Sequence, residues 1–371
     1  MSVLRLTTTP PIGFIWEIHK GAHMKQLNNP YRHAETNIAM VQGVPFPSVD
    51  SAAPSALLEK CPAHVQTPLV NATALAADLG VAAIWVKDER TRMNLGSFKA
   101  LGAAYVIAHD ANTSGASDMA TALHDRTYVT ASAGNHGLSV AAGAKAFGAK
   151  AVIYLSETVP AGFAGRLRDK GADVVIAGKD YGASMDAAMK AATDNNWTLL
   201  SDSSWEGYTA PSHRLMEGYT VLMDEVFTQI PDAPTHILLQ AGVGGLAGAA
   251  AAMARAQWGD APHIIVVEPA FAPAIHDSIA AGHCVFADGP DSDMGRLDCK
   301  EPSLIALKGL ARDADEFILI SEDEAFAAMP ILAKHDLACS TSGGAGLAAI
   351  IAGLSLAPDA RVLAILSEGV S

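Results

Sequence analysis

The chain is poor in cysteine, with four in 371 residues. Cys61, Cys284, Cys299 and Cys339 make no CxxC pair and have no histidine at metal-ligand spacing, which argues against a structural zinc site. Such sparse cysteine suits a reducing, cytoplasmic compartment, with a local Cys284–Cys299 bridge as the lesser reading. Positive charge is also scarce: 25 Lys and Arg stand against 39 Asp and Glu, a net charge of −14, and no basic cluster is present to track a phosphate backbone. Nucleic acid is therefore not an expected partner. No apolar run reaches membrane-spanning length, and prolines and charges interrupt the N-terminal stretch MSVLRLTTTPPIGFIWEIHKGAHMKQ, so neither insertion nor secretion is expected. Residues 1–60 have weak periodicity and suggest no chemistry.

What is abundant is apolar and small. Half of the residues are hydrophobic and only 17% are charged, enough for a large core, and the length suits two lobes. From about residue 80, short β-branched runs alternate with alanine-rich stretches. Strands are expected at 83–88, 127–131, 151–155, 173–177, 197–201, 235–240, 264–268, 316–320 and 361–366, with helices such as 136–149 and 244–257 between them. This βαβα rhythm, with nearly continuous apolar strands, predicts an α/β fold of parallel sheets covered on both faces. Ligands in such folds bind where Gly-rich turns follow the carboxyl ends of strands.

Three stretches fit that description. TASAGNHGLS (Thr130 to Ser139) sets small residues around Asn135 and His136, as a loop does when its backbone must come close to a ligand. QAGVGGLAGAA (Gln240 to Ala250) follows a strand and presents Gly242, Val243, Gly244 and Gly245 at a helix N-terminus, a phosphate site. It also satisfies GxGxxA, with Glu268 ending the next strand, so an NAD(P)-dependent dehydrogenase is the reading from another class. RMNLGSFKALGAAY (Arg92 to Tyr105) starts a helix at Lys99 in apolar company. Burial there would depress the lysine pKa and free a nucleophilic amine; a solvated helix lysine is the plainer alternative. A lysine nucleophile, a phosphate loop and an Asn/His loop together suit pyridoxal phosphate (PLP) held as a Schiff base.

The motifs SFKALGAAY, TASAGNHGLSVAAGAKAFGAKAVIYL, DSSWEGYT and QAGVGGLAGA occur in the order found in fold-type II PLP enzymes, the tryptophan-synthase-β-like superfamily. DSSWEGYT (Asp202 to Thr209), PTHILLQAGVGGLAG and LSEG (Leu366 to Gly369) resemble the diaminopropionate ammonia-lyase family in particular, and the similarity runs from about Val65 to the C-terminus. The resemblance implies two three-layer αβα lobes with PLP in the cleft between them, a small lobe at 95–210 and a large lobe of 1–94 plus 211–371. It also implies a homodimer.

By that resemblance, Lys99 carries the cofactor and later moves protons. Asn135 bonds the cofactor's 3′-oxygen, and Gly242 to Gly245 bind its phosphate. The loop Ser132, Ala133, Gly134, Asn135, His136 holds the substrate carboxylate through backbone N–H groups and the Ser132 hydroxyl. Ser367 is the first candidate partner of the ring nitrogen and Ser342 the second. The implied reaction is β-elimination from a small β-substituted L-amino acid, L-2,3-diaminopropionate favoured, giving a 2-oxo acid and ammonia. Threonine, serine or β-hydroxyaspartate dehydration and β-replacement are the alternatives within the fold, and a catalytically silent amino-acid sensor is another outside catalysis. One position departs from the family. Where those lyases usually have an aspartate that serves one Cα enantiomer, this chain has Ala133, which cannot take a proton. The loop instead resembles that of threonine and serine dehydratases, so L-selectivity is expected, with Lys99 or Asp202 as base. Asp202 acting only as a turn cap, and His136, Trp205, Glu206 and Tyr208 acting only as scaffolding, are the competing structural readings.

Overall fold

In the computed structural model, which describes residues 24–33 and 41–370, the strands fall into two sheets. In chain order they are β1 (Lys25–Asn28), β2 (Leu69–Asn71), β3 (Ala83–Asp88), β4 (Thr127–Ala131), β5 (Lys150–Leu155), β6 (Asp173–Ile176), β7 (Thr198–Leu199), β8 (His236–Gln240), β9 (His263–Pro269), β10 (Glu316–Ile320) and β11 (Arg361–Leu366). Seven of them form one sheet in the order β1-β10-β9-β8-β11-β3-β2, and four form the other in the order β6-β5-β4-β7. All neighbours run parallel except β1 on β10 and β2 on β3. Strands such as β8 and β11 are buried along almost their whole length, as parallel strands covered on both faces must be.

The expected strands are present with small shifts in their ends. β7 is the shortest against expectation, because the Ser201 N–H turns to the Tyr208 hydroxyl, 3.1 Å away, instead of a strand partner. The two antiparallel edge strands were not expected: each is too short to show a period, and Lys25–Asn28 is mostly polar as well. Of residues 1–60, 1–23 and 34–40 lie outside the described residues.

Both sheets feed one apolar core. Tyr128 and Ile153 of the smaller sheet and Ile237, Val266, Phe317 and Leu363 of the larger belong to a single buried cluster. The helices Lys99–Thr113 and Ala210–Gln229 pack within it backbone to backbone. A Cβ on Gly218 would lie 2.6 Å from the Leu101 carbonyl oxygen, and one on Gly102 would lie 2.7 Å from the Tyr219 ring. Only glycine fits at such a crossing.

The turn before Lys99 is strained and strongly anchored. Met93 and Asn94 both adopt left-handed backbone (φ 49° and 57°), at a cost on the order of 1–3 kcal/mol each. The neighbouring Arg92 offsets this. It is fully buried and its guanidinium reaches Glu89 at 2.7 Å, Glu225 at 2.7 Å and the Val65 carbonyl at 3.1 Å. Lys87 joins the same cluster through Glu225 at 2.6 Å and the Thr67 carbonyl at 2.7 Å. Charges buried in this way persist only when each is paired, so the turn has one arrangement available.

Candidate active site

The sequence motifs converge because each follows the carboxyl end of a strand: β4 leads into Ser132–His136, β8 into Gly242–Gly245 and β11 into Ser367–Glu368. The Lys99 turn is tied to the last of these by an antiparallel bridge between Ser97 and Glu368 and by a 3.2 Å bond from Phe98 N to the Ser367 carbonyl. The Lys99 ammonium forms an ion pair with the Asp202 carboxylate, their side chains 20% and 16% exposed. Burial by itself would lower the lysine pKa and is the largest single influence, but the charge and hydrogen bond of Asp202, with Tyr219 and Cys299, together outweigh it and hold the pKa above its usual value. Burial likewise pushes Asp202 up, and Lys99 more than reverses it. Here the structure corrects the expectation of a neutral amine: in the chain alone the lysine is protonated. The pairing places the Asp202 carboxylate facing Lys99.

The Asn/His loop wraps as a ligand loop does, though not all of its groups are free. Ser132 Oγ accepts from Gly134 N at 3.2 Å and from Gly137 N at 3.0 Å, capping the helix Asn135–Ala146. In the chain alone the Gly134 N–H is directed to Ser132. The N–H groups of Asn135 and His136, in the first turn, have no intrahelical acceptor. His136 is buried, its Nε2 meets the Leu200 carbonyl at 2.8 Å, burial lowers its pKa, and its Nδ1 has no partner among the described residues. Trp205 stacks on Tyr208 at 4.3 Å, and the Tyr208 hydroxyl donates to the Leu199 carbonyl, which makes this hairpin a support for the Asp202 segment.

The glycines of the third loop are required by the close approach of neighbouring chain. A Cβ on Gly242 would meet Cys299 Sγ at 2.9 Å, and one on Gly244, which has φ 91°, would meet Ile275 at 2.6 Å. Gly245 begins the helix Gly245–Trp258. Beside it the Tyr219 ring would lie 3.5 Å from a Cβ, and the Tyr219 hydroxyl is buried with no partner among the described residues. Ser342 Oγ accepts from Arg296 N at 3.1 Å, and Ser367 N donates to the Gly343 carbonyl, so the two candidate serines sit on adjoining strands of chain.

A family model described as "Pyridoxal-phosphate dependent enzyme" matches residues 61–368. Diaminopropionate ammonia-lyase of Escherichia coli strain K12 is 32% identical over 84% of this chain and 86% of its own length. The chain belongs to the PLP-dependent enzymes, in the diaminopropionate ammonia-lyase family. A crystal structure of the Escherichia coli diaminopropionate ammonia lyase in complex with an aminoacrylate–PLP azomethine reaction intermediate is similar, with a TM-score of 0.84 at 29% identity over 94% of both chains. The processed form of threonine deaminase isoform 2 from Solanum lycopersicum shares the fold, with a TM-score of 0.73 at 22% identity over 88% of this chain and 92% of that one. This is the fold-type II architecture.

The residues present fit PLP. A glycine cradle at a helix N-terminus suits its phosphate, the unpartnered Tyr219 hydroxyl is a donor beside that cradle, and Lys99 supplies the amine. The dinucleotide reading fails on Glu268. Instead of standing free for a ribose, this carboxylate is fully buried and accepts from Ile275 N at 2.8 Å and His276 N at 2.7 Å, capping the helix Ala274–Ala281. Four groups at the site went unmarked in the sequence: Glu368, Arg296, Cys299 and Tyr219. The Glu368 carboxylate pairs with Asn135 Nδ2, and Arg296 lies over Gly134, its Cδ 3.2 Å from where a Cβ would be. Cys299 is a free thiol whose pKa burial pushes up to about 12. Glu368 lies within the LSEG stretch, and that was the one available signal.

Proposed function

We propose that this chain is an ammonia-lyase that β-eliminates from a small β-substituted L-amino acid, L-2,3-diaminopropionate first, to give a 2-oxo acid and ammonia. The observation that carries this reading is the Lys99–Asp202 pair, set between the Asn135 loop and the glycine cradle. PLP, when bound, supplies an electron sink for the carbanion at Cα. Lys99 would hold it through its amine and, once released, would be a base at the Cα face. Asp202 would stabilise the ammonium form of that lysine and is the second candidate base. Backbone N–H groups of the Asn135–His136 turn, with the remaining hydroxyl proton of Ser132, hold the substrate carboxylate, aided by the positive end of the helix. Asn135 would donate to the 3′-oxygen, Gly242 to Gly245 would hold the phosphate, and Ser367 or Ser342 would meet the ring nitrogen. A hydroxyl at that nitrogen leaves it largely unprotonated, which favours loss of a β-group over transamination.

Ala133 favours a second reading, dehydration of serine, threonine or β-hydroxyaspartate, because the loop lacks the aspartate usual in the lyases. One panel separates the two: ammonia and 2-oxo-acid release from L- and D-2,3-diaminopropionate, L-serine, L-threonine and β-hydroxyaspartate. Fastest release from L-2,3-diaminopropionate supports the first reading, fastest release from a hydroxy amino acid the second, and no turnover with cofactor attached points to a sensor. Borohydride reduction with Lys99→Ala as control tests the attachment point.

The family resemblance also supports a homodimer and a small lobe at 95–210, and the free cysteines suit a cytoplasmic location. Light scattering of the purified protein tests the first of these.

A further inference from the structure

Glu368 is joined to more of the site than the roles above require. Its carboxylate is buried. Oε1 accepts from Ser340 Oγ, which itself accepts from Gly343 N at 2.9 Å. Oε2 accepts from Asn135 Nδ2 and faces Arg296 Nε at 3.8 Å. The backbone is equally fixed. Glu368 bridges Ser97, two residues before Lys99, and its carbonyl oxygen would lie 2.6 Å from a Cβ on Gly343. A carboxylate held at both oxygens and at its backbone cannot turn away from Asn135.

An asparagine amide has a donor end and an acceptor end of nearly the same shape, so its orientation is decided by its neighbours. A carboxylate only accepts. Facing one, Asn135 must turn its NH2 inward, and one of the two N–H bonds remains free. We infer that Glu368 is a positioning residue that fixes the Asn135 amide so that this second N–H is presented to the 3′-oxygen of PLP. The inference rests on the role proposed for Asn135. With the amide reversed, an acceptor would face an oxygen that carries negative charge, and the site would lose a charge-assisted bond.

The test uses the holoenzyme with Glu368→Gln, Ser340→Ala and Asn135→Ala, read by the visible absorption band of the bound cofactor against pH and by the Kd for PLP. Gln offers either end to Asn135, so E368Q is expected to move the band in the same direction as N135A and to weaken PLP binding by roughly tenfold, the worth of about one hydrogen bond. S340A, which only loosens the carboxylate, is expected to move both in that direction by less, and it carries the test if E368Q does not fold. Band, pH profile and Kd at wild-type values in E368Q and S340A, with N135A shifted, overturn the inference and leave the proposed role of Asn135 standing. An N135A band identical to wild type overturns both.

Discussion

Gly218 and Leu101 touch backbone to backbone where the helix that begins at Lys99 crosses the helix Ala210–Gln229. A methyl group at position 218 would lie 2.6 Å from the Leu101 carbonyl oxygen and 2.9 Å from the adjoining Gly102 Cα. Neither neighbour is a side-chain tip that can swing away. Gly218→Ala is expected to destabilise the fold by about 1–3 kcal/mol and, by displacing the helix that carries Lys99, to weaken PLP binding. Gly162, also helical but with nothing within 4 Å of a Cβ, is the control. Gly162→Ala is expected to be neutral or to stabilise by up to about 1 kcal/mol. Urea denaturation of both variants checks this.

The ion pair of Lys99 and Asp202 sets the charge of the lysine before the cofactor arrives. Removing the carboxylate in Asp202→Asn takes away the main opposition to burial, and the lysine pKa falls. More of the amine is then neutral near pH 8, so PLP is expected to attach faster to the cofactor-free variant, with the pH dependence moved to lower pH. Turnover is expected to drop, by about 10²-fold or more if Asp202 takes the Cα proton. Stopped-flow absorbance on the wild type and D202N measures the attachment; coinciding pH profiles would count against the pairing.

Glu268 adds a pH dependence to stability. Burial raises its pKa to about 8, against the pull of the Ile275 and His276 N–H groups. The folded chain therefore keeps a proton that the unfolded chain gives up near its ordinary value of 4.5. Stability from this group is complete below that pH and is lost as pH rises toward 8, with a slope of at most about 1.4 kcal/mol per pH unit. Glu268→Gln should flatten the profile in that window. The difference in Tm between wild type and E268Q, followed from pH 5 to pH 8.5, is the measurement.

Ala133 bears on stereochemistry. With no carboxylate at that position, the D-isomer of 2,3-diaminopropionate is expected to turn over at about 1% of the L-rate or less, two orders of magnitude being the usual loss when a general base is missing. Ala133→Asp is expected to raise the D-rate and leave the L-rate within a few-fold. Comparable rates on the two isomers in the wild type would refute the assignment.

The parallel strands were legible because burial on both faces leaves an uninterrupted β-branched run, as in EFILI and RVLAIL. The edge strands were not, since KQLN and LVN carry little apolar signal and owe their conformation to a neighbour far along the chain. At the site, Lys99, Asn135 and the glycine loop stood out because their chemistry is written in adjacent residues. The charge of Lys99 did not, because it is set by a carboxylate 103 positions away. Glu368 was hidden for a similar reason: an acid after an apolar strand reads as a solvated end until Asn135 and Ser340 are seen to meet it.

The two antiparallel strands also bear on how copies of this protein meet. β1 and β2 close opposite margins of the seven-stranded sheet, four and three residues long. Rims this short are poor templates for another strand, so this sheet does not offer itself for lateral growth.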